Sequence, residues 1–155
     1  MKSVVPTVAL FGESAQLGER IELGSYTLSA DEIVAFARQW DPQFFHMDAD
    51  RAASEGYFGG LIASGVQTLA VYQRLVVDAL VQYWDVIGGA GIRDLQFRRP
   101  VRPADTLTGF AVIEDVEYQP DRGRARVVYG GELINQNREL ALIMTMSAYL
   151  RLRVA

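Results

Sequence analysis

Hydrophobic positions change their period near the middle of the chain. In the first half they recur at helical spacing, and from Ile92 onward they alternate. Ser29 and Glu32 form a Ser-x-x-Glu capping box, which predicts a helix over about Ala30 to Trp40. Ile33, Val34, Phe36, Ala37 and Trp40 give that helix its apolar face. Pro42 pushes Asp41 out of helical geometry and ends the element. Asp48 caps a short second helix through Arg51 and Ala53, closed by Gly56. From Leu61 to Trp84 apolar side chains fall on nearly all sides, as expected of a central buried helix. Gly88-Gly89-Ala90-Gly91 reads as the break after it.

The second half reads as strands. Leu140, Leu142, Met144, Met146, Ala148, Leu150 and Leu152 alternate with Ala141, Ile143, Thr145, Ser147, Tyr149, Arg151 and Arg153. One face of such a strand is buried. Thr106–Tyr118 and Arg124–Ile134 are further strands, joined by a turn at Asp121-Arg122-Gly123, with another turn near Asn135-Gln136-Asn137. Short connections make these neighbours antiparallel. A strand near Ile21–Leu28 is expected in the same sheet. One long buried helix against a long antiparallel sheet is an α+β layer architecture.

Composition narrows the function. The 155 residues are 50% hydrophobic and 22% charged, which is expected of one globular domain spanning 1–155. Fifteen basic against nineteen acidic side chains leave a net charge of −4. Nucleic-acid binding needs clustered positive charge. The one basic cluster, Arg93, Arg98, Arg99 and Arg102, is too small for that but sufficient for one phosphorylated ligand. No cysteine is present, so thiol nucleophiles and thiolate-held zinc are excluded, and one histidine is too few for a His-rich metal site. The run Met1 to Phe11 is broken by Pro6 and carries no small-x-small cleavage pattern, so a signal peptide is not expected. Gln67, Gln73, Arg74, Asp78 and Gln82 interrupt the 61–84 stretch and argue against a membrane span. Cytoplasm is the default expectation.

Several sites of familiar chemistry are missing. The Gly89-Ala90-Gly91 run has Asp94 where a dinucleotide loop needs its third glycine, there is no Walker Gly-Lys-Ser/Thr, and Ser64 lies in Ala-Ser-Gly rather than a nucleophile elbow. The informative segment runs from Trp40 to Asp48. It places Asp41 and the sole imidazole, His46, five residues apart in an irregular connector. A carboxylate and an imidazole converging on one water form a general acid/base pair, able to give hydroxide to one carbon and a proton to the next. Trp40, Phe44 and Phe45 are expected to exclude water and move the pKa values toward neutrality. The plainer alternative stays open: Asp41 caps a turn and His46 is a satisfied buried histidine.

Three blocks add a resemblance. Asp41-Pro-Gln-Phe-Phe-His46, with Asp48 and Ala52–Ala53 after it, resembles the hydratase-2 motif of MaoC-like dehydratases, D-x-N-P-x-H-x-D. Phe58-Gly-Gly-Leu-Ile-Ala-Ser-Gly65 is similar to that family's F-x-x-P-I-A-H-G entry to its central helix. Phe97-Arg-Arg-Pro-Val-Arg-Pro-Ala-Asp-Thr-Leu107 is similar to its F-x-x-P-V-x-x-G-D-x-L segment. The blocks stand in family order. Gln43 replaces the usual Asn, Phe44 the usual Pro, and Ser64 the frequent His.

The resemblance implies a hot-dog fold, a long helix wrapped by a curved antiparallel sheet, in a homodimer or higher homo-oligomer. It implies reversible hydration of trans-2-enoyl thioesters, or dehydration of (R)-3-hydroxyacyl-CoA. It implies a CoA thioester as the substrate, with CoA or acyl carrier protein as the carrier left open, and no further cofactor and no metal. Carried over, Asp41 and His46 form the catalytic pair, and the Gly65 N–H at the helix start takes the oxyanion position. Ser64 joins Gly65 among the expected substrate-binding residues, while a bond to nearby backbone and a helix cap are its plainer readings. Which of Asp41 and His46 is the base stays open. Arg98, Arg99 and Arg102 either meet the carrier's phosphates or form a solvated strand end. Tyr72 and Gln73 either line an acyl tunnel or simply pack. A hot-dog thioesterase and a non-catalytic acyl-CoA-binding subunit are the alternative functions.

Overall fold

The computed structural model describes residues 17–152. The expectation for Met1 to Phe11 and the last alternating residue, Arg153, lie outside them. Strand β1 is Arg20–Thr27. Three helices follow, α1 (Ala30–Trp40), α2 (Phe44–Met47) and α3 (Ala49–Glu55), then the long α4 (Gly65–Ala79). Four strands complete the chain: β2 (Val86–Phe97), β3 (Thr106–Gln119), β4 (Arg124–Ile134) and β5 (Leu140–Arg151). The sheet has strand order β1-β3-β4-β5-β2, and every paired neighbour is antiparallel. It curves around α4, the hot-dog arrangement.

The local signals act as expected. The Ser29 hydroxyl accepts from the Glu32 amide and the Glu32 carboxylate from the Ser29 amide, so the capping box is complete. Asp48 accepts from the Arg51 amide and starts α3. In α4, Val71, Leu75 and Val76 face the sheet. Burial of each stabilises the fold by about 1.5–3 kcal/mol. Tyr72 is wholly buried, and its hydroxyl donates to the Phe110 carbonyl at 3.1 Å. It therefore packs rather than lining a tunnel, and Gln73 points to solvent. No helix among the described residues is long and apolar enough to cross a membrane.

Two elements differ from the sequence pattern. Gly88-Gly89-Ala90-Gly91 is not a break but the first half of β2. The turn comes earlier, where Val81–Tyr83 forms a 3-10 helix after α4. Glycines lower strand propensity, and here they coincide with register slips at Val86/Gly88 and Gly89/Gly91 on an edge strand. The central helix is correspondingly shorter than the 61–84 stretch. The chain from Leu61 to Ser64 is an extended segment tied to its surroundings, since the Ile62 amide donates to the Phe45 carbonyl and the Ala63 amide to the Val101 carbonyl.

Candidate active site

Asp41 and His46 come together because α1 stops where Pro42 requires and α2 turns the chain back at once. Asp41 is the C-cap of α1, its amide donating to the Ala37 carbonyl at 2.9 Å. The connector expected to be irregular contains the single turn of α2, which carries His46. His46 Nε2 lies 3.3 Å from Asp41 Oδ2. The ring is buried, and the carboxylate retains 24% side-chain exposure.

The partners of this pair fix its protonation pattern. His46 Nδ1 is 2.7 Å from the Ile62 carbonyl oxygen. A carbonyl only accepts, so Nδ1 carries the proton and Nε2 of the neutral ring is an acceptor. Asp41 Oδ2 accepts from the Ser64 hydroxyl at 2.7 Å, and Oδ1 from Gln43 Nε2 at 2.7 Å. The Ser64 hydrogen bond, more than any other influence, holds the Asp41 carboxyl below its ordinary pKa. Gln43, and the His46 ring when it is protonated, add to this against an opposing contribution from burial. Asp41 therefore moves away from neutrality, contrary to the expectation from its aromatic neighbours. Trp40 is 66% exposed and shields nothing, whereas Phe45 packs edge-on against the His46 ring, centroids 4.4 Å apart.

Ser64 is wholly buried. Its oxygen also accepts from the Val66 amide at 3.2 Å, so it caps α4. Donation to Asp41 uses its only proton, so Ser64 acts on the site through the carboxylate. This placement differs from the expected contact with substrate. Gly65 is the first residue of α4, and its amide has no carbonyl one turn earlier to meet. The helix dipole adds positive character there. A side chain at this position would force the Phe97 ring to move: an added Cβ would lie 2.6 Å from it.

A cleft of about 280 Å³ runs beside these groups. His46, Gly65, Thr68, Phe97, Arg98 and Arg99 are among the residues that line it. A ligand in the cleft thus meets the imidazole and the start of α4 together. Beyond His46, no pattern in the sequence marks a partner for Asp41. Gln43, two residues away, stands in the sequence only as a departure from the motif, although an amide at that spacing can reach back to a carboxylate. Phe97 and Ile62 stand in the motif blocks, but no local pattern marks their contacts: long-range packing sets Phe97 against Gly65 and the Ile62 carbonyl on His46.

The family profile described as MaoC like domain matches residues 13–132. YdeM of Bacillus subtilis (strain 168) is 36% identical over 112 residues, covering 72% of this chain and 77% of that protein. The MaoC-like dehydratase from Rhodospirillum rubrum superposes with a TM-score of 0.82 at 34% identity, covering 93% of this chain and 98% of that one. The R-hydratase PhaJ1 from Pseudomonas aeruginosa shares the fold, with a TM-score of 0.74 at 19% identity over 94% of this chain and 88% of that one. The chain belongs to the MaoC-like dehydratase family, with the hot-dog fold and the broad hydratase and dehydratase character of that family.

Proposed function

We propose that this protein adds water reversibly across the C2=C3 bond of trans-2-enoyl thioesters, giving (R)-3-hydroxyacyl thioesters, and that it works as a homodimer. The observation that carries the reading is the approach of two acceptors, His46 Nε2 and Asp41 Oδ2, to 3.3 Å, with His46 on the wall of the cleft. One water can donate a hydrogen to each, which aims an oxygen lone pair at a bound substrate. Asp41 is held ionised and already accepts from Ser64 and Gln43, so it is the poorer proton acceptor. His46 Nε2 takes the proton as the water oxygen bonds to C3, and Asp41 stabilises the imidazolium. The C2=C3 electron pair moves toward the thioester carbonyl, whose oxygen gains negative charge. The Gly65 amide meets that oxygen, a contribution of about 3–4 kcal/mol for one such donor. The imidazolium then returns the proton to C2. Hydroxyl and hydrogen are added without net oxidation, so the step needs no redox cofactor.

The exposed edge strand β2 supports the homodimer. It leaves Ile87, Ile92 and Phe97 each at least 44% exposed and presents backbone groups free for pairing.

The test is the purified protein with crotonyl-CoA. The enoyl absorbance should fall with no free thiol released, and chiral analysis should return the (R) alcohol. Thiol release would make it a thioesterase. Binding without turnover across chain lengths would make it a non-catalytic acyl-CoA carrier.

A further inference from the structure

Arg98, Arg99 and Arg102 are neighbours in sequence, but the fold separates them. Arg102 turns back into the chain: its Nη2 donates to the Phe58 carbonyl at 2.8 Å, and its amide to Asp105 Oδ2 at 2.8 Å. Its guanidinium holds the Phe58 loop in place. A different arginine joins the other two, Arg138, from the turn between β4 and β5. Arg98, Arg99 and Arg138, with Glu139 and Leu140, wall an open hollow of about 520 Å³. Arg98 and Arg99 also line the cleft that reaches His46 and Gly65, so hollow and cleft meet at these two side chains.

The hollow is built for negative charge. Three guanidinium groups share it with one carboxylate, Glu139, which lies 3.6 Å from Arg99 Nη2. Arg98 Nη1 donates to the neutral Gln96 side chain. The local balance is positive on a chain of net charge −4. Arg138 is a second, independent observation. It sits at φ +61°, a left-handed conformation that Gly or Asn adopts at less steric cost. The Asn135 side chain fixes this turn, accepting from the Asn137 and Glu139 amides at 2.9 and 3.0 Å. A bulky cation held in unfavourable backbone geometry at the rim of a basic hollow points to use of its head group.

We propose that Arg98, Arg99 and Arg138 bind the phosphates of the nucleotide half of a coenzyme A carrier, whose acyl arm passes through the shared cleft to His46. The arm's destination rests on the hydration reading; the nucleotide site does not. Guanidinium groups suit phosphate oxygens through paired, charge-assisted hydrogen bonds. A carrier protein with a single phosphate on its arm fits less well. An acidic protein surface would face a chain of net negative charge, whereas a small polyphosphate responds mainly to charges within a screening length of about 8 Å.

The experiment uses adenosine 3′,5′-bisphosphate, which has no acyl arm, as a calorimetric probe of the whole protein. The wild type should bind it more weakly as salt rises. The variant R98Q/R99Q/R138G should lose at least about 10-fold in affinity. Glycine at 138 suits the turn, so the turn persists without the guanidinium. In turnover, the ratio of kcat/KM for crotonyl-CoA to that for crotonyl-pantetheine should fall at least about 10-fold in the same variant. If no thioester is turned over yet the variant loses the bisphosphate, the hydration reading fails and the nucleotide site stands. Equal binding by wild type and variant overturns the site, as does an unchanged kcat/KM ratio or a preference for crotonyl-acyl carrier protein over crotonyl-CoA.

Discussion

The Asp41–His46 corner and the arginine rim both contribute to the wall of one cleft, through His46 and through Arg98 and Arg99, and are held in opposite ways. At the corner, three segments and one further side chain fix the pair. The end of α1 supplies Asp41, α2 supplies His46, the 61–64 segment supplies the Ile62 carbonyl and the Ser64 hydroxyl, and Gln43 takes the remaining carboxylate oxygen. At the rim, Arg99 and Glu139 retain 54% and 39% side-chain exposure, and the charges are free to adjust to a ligand. Chemistry on a reacting carbon needs positions fixed to fractions of an ångström. Recognition of a charged, flexible carrier tolerates long mobile side chains and works through charge. The contrast teaches that substitutions in the two regions should differ in kind: loss of turnover at the corner, loss of affinity at the rim.

Asp41→Asn and His46→Gln test the corner most severely. Each should reduce crotonyl-CoA hydration by about 10²–10⁴-fold while circular dichroism and Tm stay close to wild type. Near-normal turnover by either variant would detach that residue from the chemistry.

Ser64→Ala should come next. It removes a hydrogen bond to a charged acceptor, worth about 1.5–3 kcal/mol, so turnover should fall roughly 10- to 100-fold. The sign of the pH effect follows from Asp41. Its carboxyl is depressed in the folded protein, mainly by Ser64, so this stabilisation is present above the ordinary carboxylate pKa and is lost as pH falls through the depressed value. In the variant the acid limb of the pH–rate profile should therefore move to higher pH, and the stability gap to wild type should narrow as pH drops below the ordinary carboxylate range. A profile that keeps its acid limb would show that Ser64 does not set the carboxylate.

Gly65→Ala sharpens the same region through packing. The new methyl would meet the Phe97 ring at 2.6 Å, and overpacking of this kind costs about 1–3 kcal/mol. Phe97→Leu in the same chain should return part of that stability in urea unfolding, and a strictly additive pair would contradict the contact. Outside both regions, Asp78→Ala breaks only the exposed pair with Arg74 on α4. It should shift stability by no more than about 0.5 kcal/mol and leave turnover alone.

Much of this architecture is legible locally. The Ser29–Glu32 box, the Asp48 cap and the alternation through Arg124–Ile134 each involve residues a few positions apart, and the structure forms all three. The Asp41–His46 pair is legible for the same reason. What escapes is set by distance along the chain. The glycine run of β2 looks like a turn until β5 pairs with it. Ser64 finds its acceptor 23 residues away, and Arg138 reaches the rim only because the β4–β5 turn folds back beside Arg99. No pattern in the sequence marks an arginine whose partners arrive from another hairpin.

The central claim is that Asp41 and His46 act on one water as a single unit, and a double-mutant cycle on kcat measures that directly. For groups acting as a unit, the D41N/H46Q double variant should hydrate crotonyl-CoA only about as slowly as the worse single variant. A double variant slower by the product of the two single effects would show two independent contributions and contradict the shared water.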